Sequence, residues 1–128
     1  MNRILIVDDN SDILQVMQIL LASRGFEVEV TTKGDETFEK IDSFQPNLIL
    51  LDIHLSGIDG RDICRTIKTS DEFKDIPVIL FSSNRIKGTK LAETLADEFV
   101  AKPFDIHELI SKINHFIGVN DDGASMTA

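Results

Sequence analysis

An open α/β fold, a doubly wound five-stranded parallel sheet with five helices, is predicted by three observations. Strand-like and helix-like patterns alternate along the chain, as in a parallel sheet covered on both faces. Four of the strand-like runs are almost continuously apolar, as strands buried on both faces are. Each of those four also ends in a residue able to do chemistry: Ile4-Leu5-Ile6-Val7 runs into Asp8-Asp9, Leu48-Ile49-Leu50-Leu51 into Asp52, Val78-Ile79-Leu80-Phe81 into Ser82-Ser83, and Phe99-Val100-Ala101 into Lys102-Pro103. Parallel strands place those ends along one edge, where open α/β sheets hold their ligands.

The strands are predicted over residues 3–8, 27–31, 47–51, 77–81 and 98–101. The second, Glu27-Val28-Glu29-Val30-Thr31, alternates polar and apolar residues and belongs at a half-exposed edge. Ile13, Val16, Met17, Leu20 and Leu21 recur at helical spacing after Ser11-Asp12, with Arg24-Gly25 as a cationic last turn and C-cap. Phe38 and Ile41 mark a short second helix opened by Gly34-Asp35 and closed before Pro46. Ile63 and Ile67 mark a third after Asp59-Gly60. Residues 84–97 form the weakest helix, because Gly88 and Thr89 interrupt it and only Leu91 and Leu95 make an apolar pair; mobility is expected there. The last helix carries the stripe Ile106, Leu109, Ile110, Ile113, Phe116 and Ile117, capped by Asp105. Residues 119–128 lack periodicity and are expected to be a disordered tail behind a domain of residues 1–118.

At 128 residues and 42% hydrophobic content the chain is sized for one domain with one core, leaving no room for a second catalytic or DNA-binding unit. Its formal charge of -9 repels nucleic acid and anionic membrane. Cys64 is the one cysteine, the start does not read as a signal peptide, and no apolar stretch approaches the roughly 20 residues of a membrane helix. A cytoplasmic protein without membrane insertion is expected.

Asp8, Asp9 and Asp52 fall at the ends of strands that are neighbours in the 2-1-3-4-5 order. Three carboxylates so close repel one another unless a cation lies among them. An all-oxygen site with open positions suits Mg²⁺, with Mn²⁺ as a substitute. Asp8-Asp9 has a plainer reading, as acidic caps of the first helix. Asp52, after four apolar residues, is in a costly place for an unpaired carboxylate, so it is paired or poised as a nucleophile for phosphorus. Lys102 is positioned to pair with Asp52 and then with phosphoryl oxygens, and Ser82 to donate a hydrogen bond to them. Alone, Lys102 would read as a solvated lysine and Ser82 as a turn residue; together they point to aspartyl phosphoryl transfer. Gly57 and Asp59-Gly60 make a tight loop after Asp52, leaving the His54 carbonyl as a candidate ligand. The imidazoles of His54, His107 and His115 lack zinc-ligand spacing and read as polar surface groups.

Taken together, Ile-Leu-Ile-Val-Asp8-Asp9-Asn10, Leu-Ile-Leu-Leu-Asp52-Ile-His-Leu-Ser-Gly-Ile-Asp59-Gly60, Pro77-Val-Ile-Leu-Phe-Ser82-Ser83 and Phe99-Val-Ala-Lys102-Pro103-Phe104 resemble the receiver domain of two-component response regulators, from Asn2 to about Gly118. The resemblance implies a flavodoxin-like fold and Mg²⁺-dependent transfer of a phosphoryl group from a partner's phosphohistidine to Asp52, followed by slow self-hydrolysis. It implies metal binding by Asp9, Asp52 and the His54 carbonyl, with Asp8 helping through water. It further implies a switch in which Ser82 moves toward the phosphoryl group and Phe99 turns inward, read out on the fourth helix, fifth strand and last helix. Departures from the family pattern are Ser56 where Pro is usual, Ser83 where a small residue such as Ala is usual, and the missing Gly before Phe99. His54 and Asn84 stand where the family tunes access of water to the phosphoryl group.

The leading expectation is a single-domain response regulator that accepts its phosphoryl group from a sensor histidine kinase or histidine phosphotransfer protein. It is not an enzyme on other substrates, and it signals through contacts with a downstream target protein or passes the group on as a relay intermediate. Kinase specificity is expected on the exposed face of the first helix, including Gln15 and Gln18. A receiver-shaped interaction module acting without phosphorylation is the alternative. A flavin-binding flavodoxin shares the strand order, but Asp8-Asp9-Asn10 would repel the flavin phosphate. A metal-dependent aspartyl phosphatase would need a second acid and a cap, for which no segment is apparent.

Overall fold

The computed structural model describes residues 2–82 and 92–118. In chain order the elements are β1 (Arg3–Val7), α1 (Ser11–Ala22), β2 (Glu27–Thr31), a 3₁₀ turn (Gly34–Glu36), α2 (Thr37–Phe44), β3 (Leu48–Asp52), β4 (His54–Leu55), β5 (Ile58–Asp59), α3 (Gly60–Thr69), β6 (Val78–Ser82), α4 (helical over 92–94), β7 (Glu98–Ala101) and α5 (Ile106–Ile117). The main sheet is parallel with the order β2-β1-β3-β6-β7, which is the flavodoxin-like order expected. β4 and β5 form a small antiparallel hairpin after β3. The expected tail, and most of the 84–97 segment, lie outside the described residues.

Two apolar cores sit on opposite faces of the sheet, as the period of two along a strand requires. Ile4, Ile6, Leu48, Leu50, Ile79, Phe81 and Val100 pack with Leu14, Met17 and Leu21 of α1 and Leu109, Ile110 and Ile113 of α5. Leu5, Val7, Ile49, Leu51, Val78 and Leu80 pack with Ile41 of α2 and Ile63, Cys64 and Ile67 of α3. Cys64 is fully buried there, and burial pushes its thiol up to about 12, so it is held as an inert neutral group.

Three expectations are corrected. The strand over 98–101 was grouped with those buried on both faces, yet it is the second edge of the sheet, with only Val100 buried. β3 and β6 each run one residue further than the apolar pattern, because the ladder needs backbone groups and not apolar side chains: Asp52 pairs with Phe81, and Ser82 with Ala101. On α1, Val16 and Leu20 share the apolar spacing but are 56% and 38% exposed, with Ile19 at 63%, while Leu14 is buried in their place. A 12-residue helix covering one part of a sheet edge has one buried stripe, Leu14, Met17 and Leu21, and the second apolar stripe is left facing out.

The caps explain the helix starts. The Asn10 side chain accepts from the backbone N–H groups of Asp12 and Ile13. Asp59 accepts from Arg61 N–H at the start of α3, and Asp105 from His107 and Glu108 at the start of α5. Arg24 lies beyond the last turn of α1.

Leu95 follows α4 in the left-handed region, at φ 65°, where the missing glycine was remarked. Arg65 reaches from α3 to donate to the Glu93 carbonyl just before it. An L side chain in that region costs about 1–2 kcal/mol, against about 0.5–1 kcal/mol for the extra freedom glycine adds to the unfolded chain. Leu95→Gly is therefore expected to stabilise the fold by about 0.5–1 kcal/mol, read as a raised urea midpoint at unchanged slope. A lowered midpoint would show that the exposed Leu95 side chain contributes more than its backbone strain removes.

Candidate functional site

The predicted strand ends do converge. Asp8, Asp9 and Asp52 each offer a carboxylate oxygen within 4.8 Å of the others. Asp8 is fully buried and Asp52 nearly so, whereas Asp9 is exposed. Asp8 and Asp9 are not the caps of α1, since Asn10 does that work; this removes the plainer reading of the pair. Asp8 instead accepts from Asn10 N–H at 2.9 Å and from Lys102 Nζ at 2.9 Å.

Lys102 was expected to pair with Asp52. Its nearer partner is Asp8, with Asp52 Oδ2 at 3.5 Å. Among the described residues Lys102 is the cation paired with the fully buried Asp8, a position where a carboxylate is costly without a partner. Burial raises the Asp52 carboxyl above its ordinary range and the neighbouring Asp8 adds to this, while Lys102 opposes both. Among the described residues, three carboxylates here face one ammonium, an excess of negative charge. A hard divalent cation fits that imbalance and this all-oxygen donor set.

Strand alternation divides the remaining residues. Asp8, Asp52 and Lys102 continue the parity of Ile6, Leu50 and Val100, on the α1 and α5 side. Ser82, 1% exposed, follows the parity of Val78 and Leu80, on the α3 side, as does Phe99, which is half-buried and packs against that second core. Ser82 thus closes the site from the opposite side to Lys102. Its backbone accepts from Lys102 N–H at 2.8 Å, locking β6 to β7 at the site. Ser83 and Asn84 lie outside the described residues.

After Asp52 the chain turns sharply. His54 N–H donates to Asp52 Oδ1 at 3.4 Å, and Gly60 N–H donates to the Ile53 carbonyl at 2.7 Å. The hairpin turn contains Gly57 at φ 73°. Gly60 has a different reason to be glycine: a Cβ there would lie 2.0 Å from the Asp52 carbonyl oxygen. The His54 side chain is exposed, as expected of a surface histidine, and so are those of His107 and His115.

Two site features escaped sequence reasoning. Ser56, remarked only as a replacement for Pro, donates its hydroxyl to Asp9 Oδ2 at 3.3 Å. Phe81 places its ring 4.9 Å from Lys102 Nζ. An aromatic inside an apolar run reads as core, and only its shared parity with Asp52 and Lys102 could have pointed to the site.

A groove of about 560 Å³ adjoins this cluster, lined by Ile13, Val16, Met17, Leu20, Pro103 and Phe104 together with Lys102. No helix among the described residues is long and apolar enough to cross a membrane.

Comparison with known proteins agrees with this geometry. Residues 4–114 match the sequence family described as response regulator receiver domain. The DNA-binding response regulator MtrA of Mycolicibacterium paratuberculosis is 29% identical over 122 residues, covering 94% of this chain and 53% of that protein. The chain therefore spans about half the length of such curated relatives. Among solved structures, the response regulator TrrA of Thermotoga maritima in complex with Mg²⁺-BeF is 32% identical with a TM-score of 0.81, covering 91% of this chain and 99% of that one. The receiver domain of a sensor histidine kinase from Pseudomonas aeruginosa, solved with magnesium in its active site cleft, is 26% identical with a TM-score of 0.82, covering 91% and 98%.

Proposed function

Because the chain belongs to the response regulator receiver domain family, we propose that it is a signalling domain whose Asp52 accepts a phosphoryl group from the phosphohistidine of a sensor histidine kinase or histidine phosphotransfer protein. The observation that carries this reading is the convergence of Asp8, Asp9, Asp52 and Lys102 from three strand ends. We assign residues 1–118 to this unit.

A carboxylate oxygen of Asp52 attacks phosphorus, and the P–N bond to the partner's imidazole breaks. The electron pair goes to the nitrogen, which takes a proton from solvent. Asp9, Asp52 and the His54 carbonyl are the groups that would hold Mg²⁺, or Mn²⁺ in its place; when bound, the cation supplies positive charge to phosphoryl oxygens as they pass between donor and acceptor. Lys102, tethered by Asp8, faces those oxygens from one side of the sheet, and Ser82 donates to them from the other. Water later attacks the phosphorus of the acyl phosphate, the P–O bond to Asp52 breaks, and inorganic phosphate leaves as the carboxylate is restored. Phe99 packs against the second core, next in sequence to the strand residue that pairs with Phe81, so a shift of Ser82 would be passed to the α4, β7 and α5 face by packing.

The partner is proposed to dock on α1. Val16, Ile19 and Leu20 present an apolar stripe on α1, and Val16 and Leu20 line the groove that Lys102 also lines; an amphipathic partner helix laid there would bring its histidine toward Asp52. Gln15 and Gln18, both exposed, flank that stripe. Output is proposed to run through protein contacts, since the charge of -9 opposes DNA phosphates. Return of the phosphoryl group to a phosphotransfer protein would mark a relay, and a target bound more tightly after phosphorylation would mark an effector.

The test is intact-mass spectrometry after incubation with a small-molecule phosphodonor, with and without Mg²⁺. Metal-dependent gain of one phosphoryl group supports the reading, and no gain under either condition defeats it. A second result is expected of His54→Ala. The exposed imidazole stands two residues from the acceptor and partly screens it, so the variant is expected to lose its phosphoryl group severalfold faster once donor is removed. An unchanged lifetime would rule out the screening role.

A further inference from the structure

We propose that Phe81 is a positioning residue for Lys102, its ring holding the ammonium at the acceptor through a cation–π contact. This rests on the reading that Lys102 serves phosphoryl transfer at Asp52. Phe81 stands on β6 directly across from Asp52 in the β3 register and from Val100 in the β7 register. Its side chain is 2% exposed, on the same side of the sheet as the Asp8, Asp52 and Lys102 cluster. Lys102 Nζ lies 4.9 Å from the ring centroid, inside the limit of about 6 Å for attraction by an aromatic face. The lysine side chain is itself mostly buried, where such contacts are strongest. Phe104, two residues after Lys102, meets the Phe81 ring edge-to-face at 6.3 Å and 68°. The loop that carries the lysine therefore also sets the ring that receives it.

A leucine would fill this strand position equally well if packing were the whole role. An aromatic face adds an attraction that does not depend on the charges of Asp8 and Asp52. Both carboxylates weaken as partners for Lys102 when a divalent cation or a phosphoryl group shares them. The ring does not, so it keeps the ammonium at the site in the states where its ionic tethers are diluted.

The experiment is site-specific replacement of Phe81 by mono-, di- and trifluorinated phenylalanines, which weaken the negative ring face stepwise at almost constant size. The initial rate of Asp52 phosphorylation from a small-molecule donor is expected to fall in steps, by roughly five- to tenfold overall, with no loss of thermal stability. In the metal-free, unphosphorylated protein the Lys102 Hε resonances are expected upfield of ordinary lysine values and to move downfield along the same series. A flat rate across the series, with Phe81→Leu equal to the parent, would reduce the ring to packing and overturn the proposal. If the parent takes up no phosphoryl group, the phosphoryl-transfer reading fails separately. The resonances then decide the role of Phe81: stepwise movement supports it, and unshifted Lys102 resonances overturn it.

Discussion

Asp52→Asn is expected to abolish phosphoryl uptake and, at the same time, to make the domain harder to unfold. The amide has no nucleophilic oxygen of comparable strength, so the mass gain expected of the parent should vanish. The stability effect follows from the environment of the carboxylate. Burial and Asp8 raise the Asp52 carboxyl in the folded state, with Lys102 in opposition. A raised acid favours the fold in its protonated form: its contribution is fully present below the ordinary value of 3.8 and is lost as pH rises through the higher folded value. At neutral pH the parent has lost that contribution, and the asparagine variant has nothing to lose. Urea unfolding at pH 7 without metal should show the variant more stable by on the order of 1 kcal/mol, with the gap narrowing toward pH 4. Mg²⁺ should raise the parent's midpoint by mass action and leave the variant's nearly unmoved. A variant less stable than its parent at neutral pH would mean that Asp52 is a structural ion-pair partner and not a poised acceptor.

Gly60→Ala should be among the most damaging single methyl additions in the chain. The added carbon would lie 2.0 Å from the Asp52 carbonyl oxygen and 2.9 Å from both Asp52 C and Ile53 Cα. All three are backbone atoms at the end of a central strand, and none can swing aside. Either α3 retreats, breaking the Gly60 N–H bond to Ile53, or the end of β3 moves and takes the acceptor with it. A loss of roughly 3 kcal/mol is expected, with phosphorylation slowed beyond what unfolding explains. Gly57→Ala is the control. It has a positive φ of 73° but nothing within 4 Å of the new carbon, so only the backbone term of about 1 kcal/mol applies. Equal effects at the two positions would show that the close approach at Gly60 is relieved without disturbing the site.

The fold and the convergence of the strand ends were legible because apolar runs that stop at polar residues say both where strands are buried and where they end. Asp8, Asp52 and Lys102 also share a parity that counting by twos along each strand recovers. Other features depend on what lies across the gap. Val16 and Leu20 have the spacing of core residues, and periodicity does not tell a stripe facing the sheet from one facing an open groove. The serine at position 56 became a partner of Asp9 only through a turn that brings residues 47 positions apart together. Gln45 adopts a left-handed conformation with no turn residue to announce it, and Leu95 does so at a turn where the sequence shows only that a glycine is missing before Phe99. The tight approach at Gly60 is set by the neighbouring backbone, which a single glycine letter does not reveal.

The sheet divides the interior into two apolar cores with no side chain in common. The acceptor and its lysine border the first, and Ser82 and Phe99 border the second. On the proposed reading, the acceptor side and the switch side of the strand ends are thereby backed by different cores, with β7 and α5 of the output face reaching the first core through Val100 and Leu109. On that reading, substitutions at Leu14 and Met17 should alter how fast the domain is charged, and substitutions among Ile63, Ile67 and Leu80 how well the charged state is noticed. A lineage could therefore repack one face of the sheet without replacing side chains of the other.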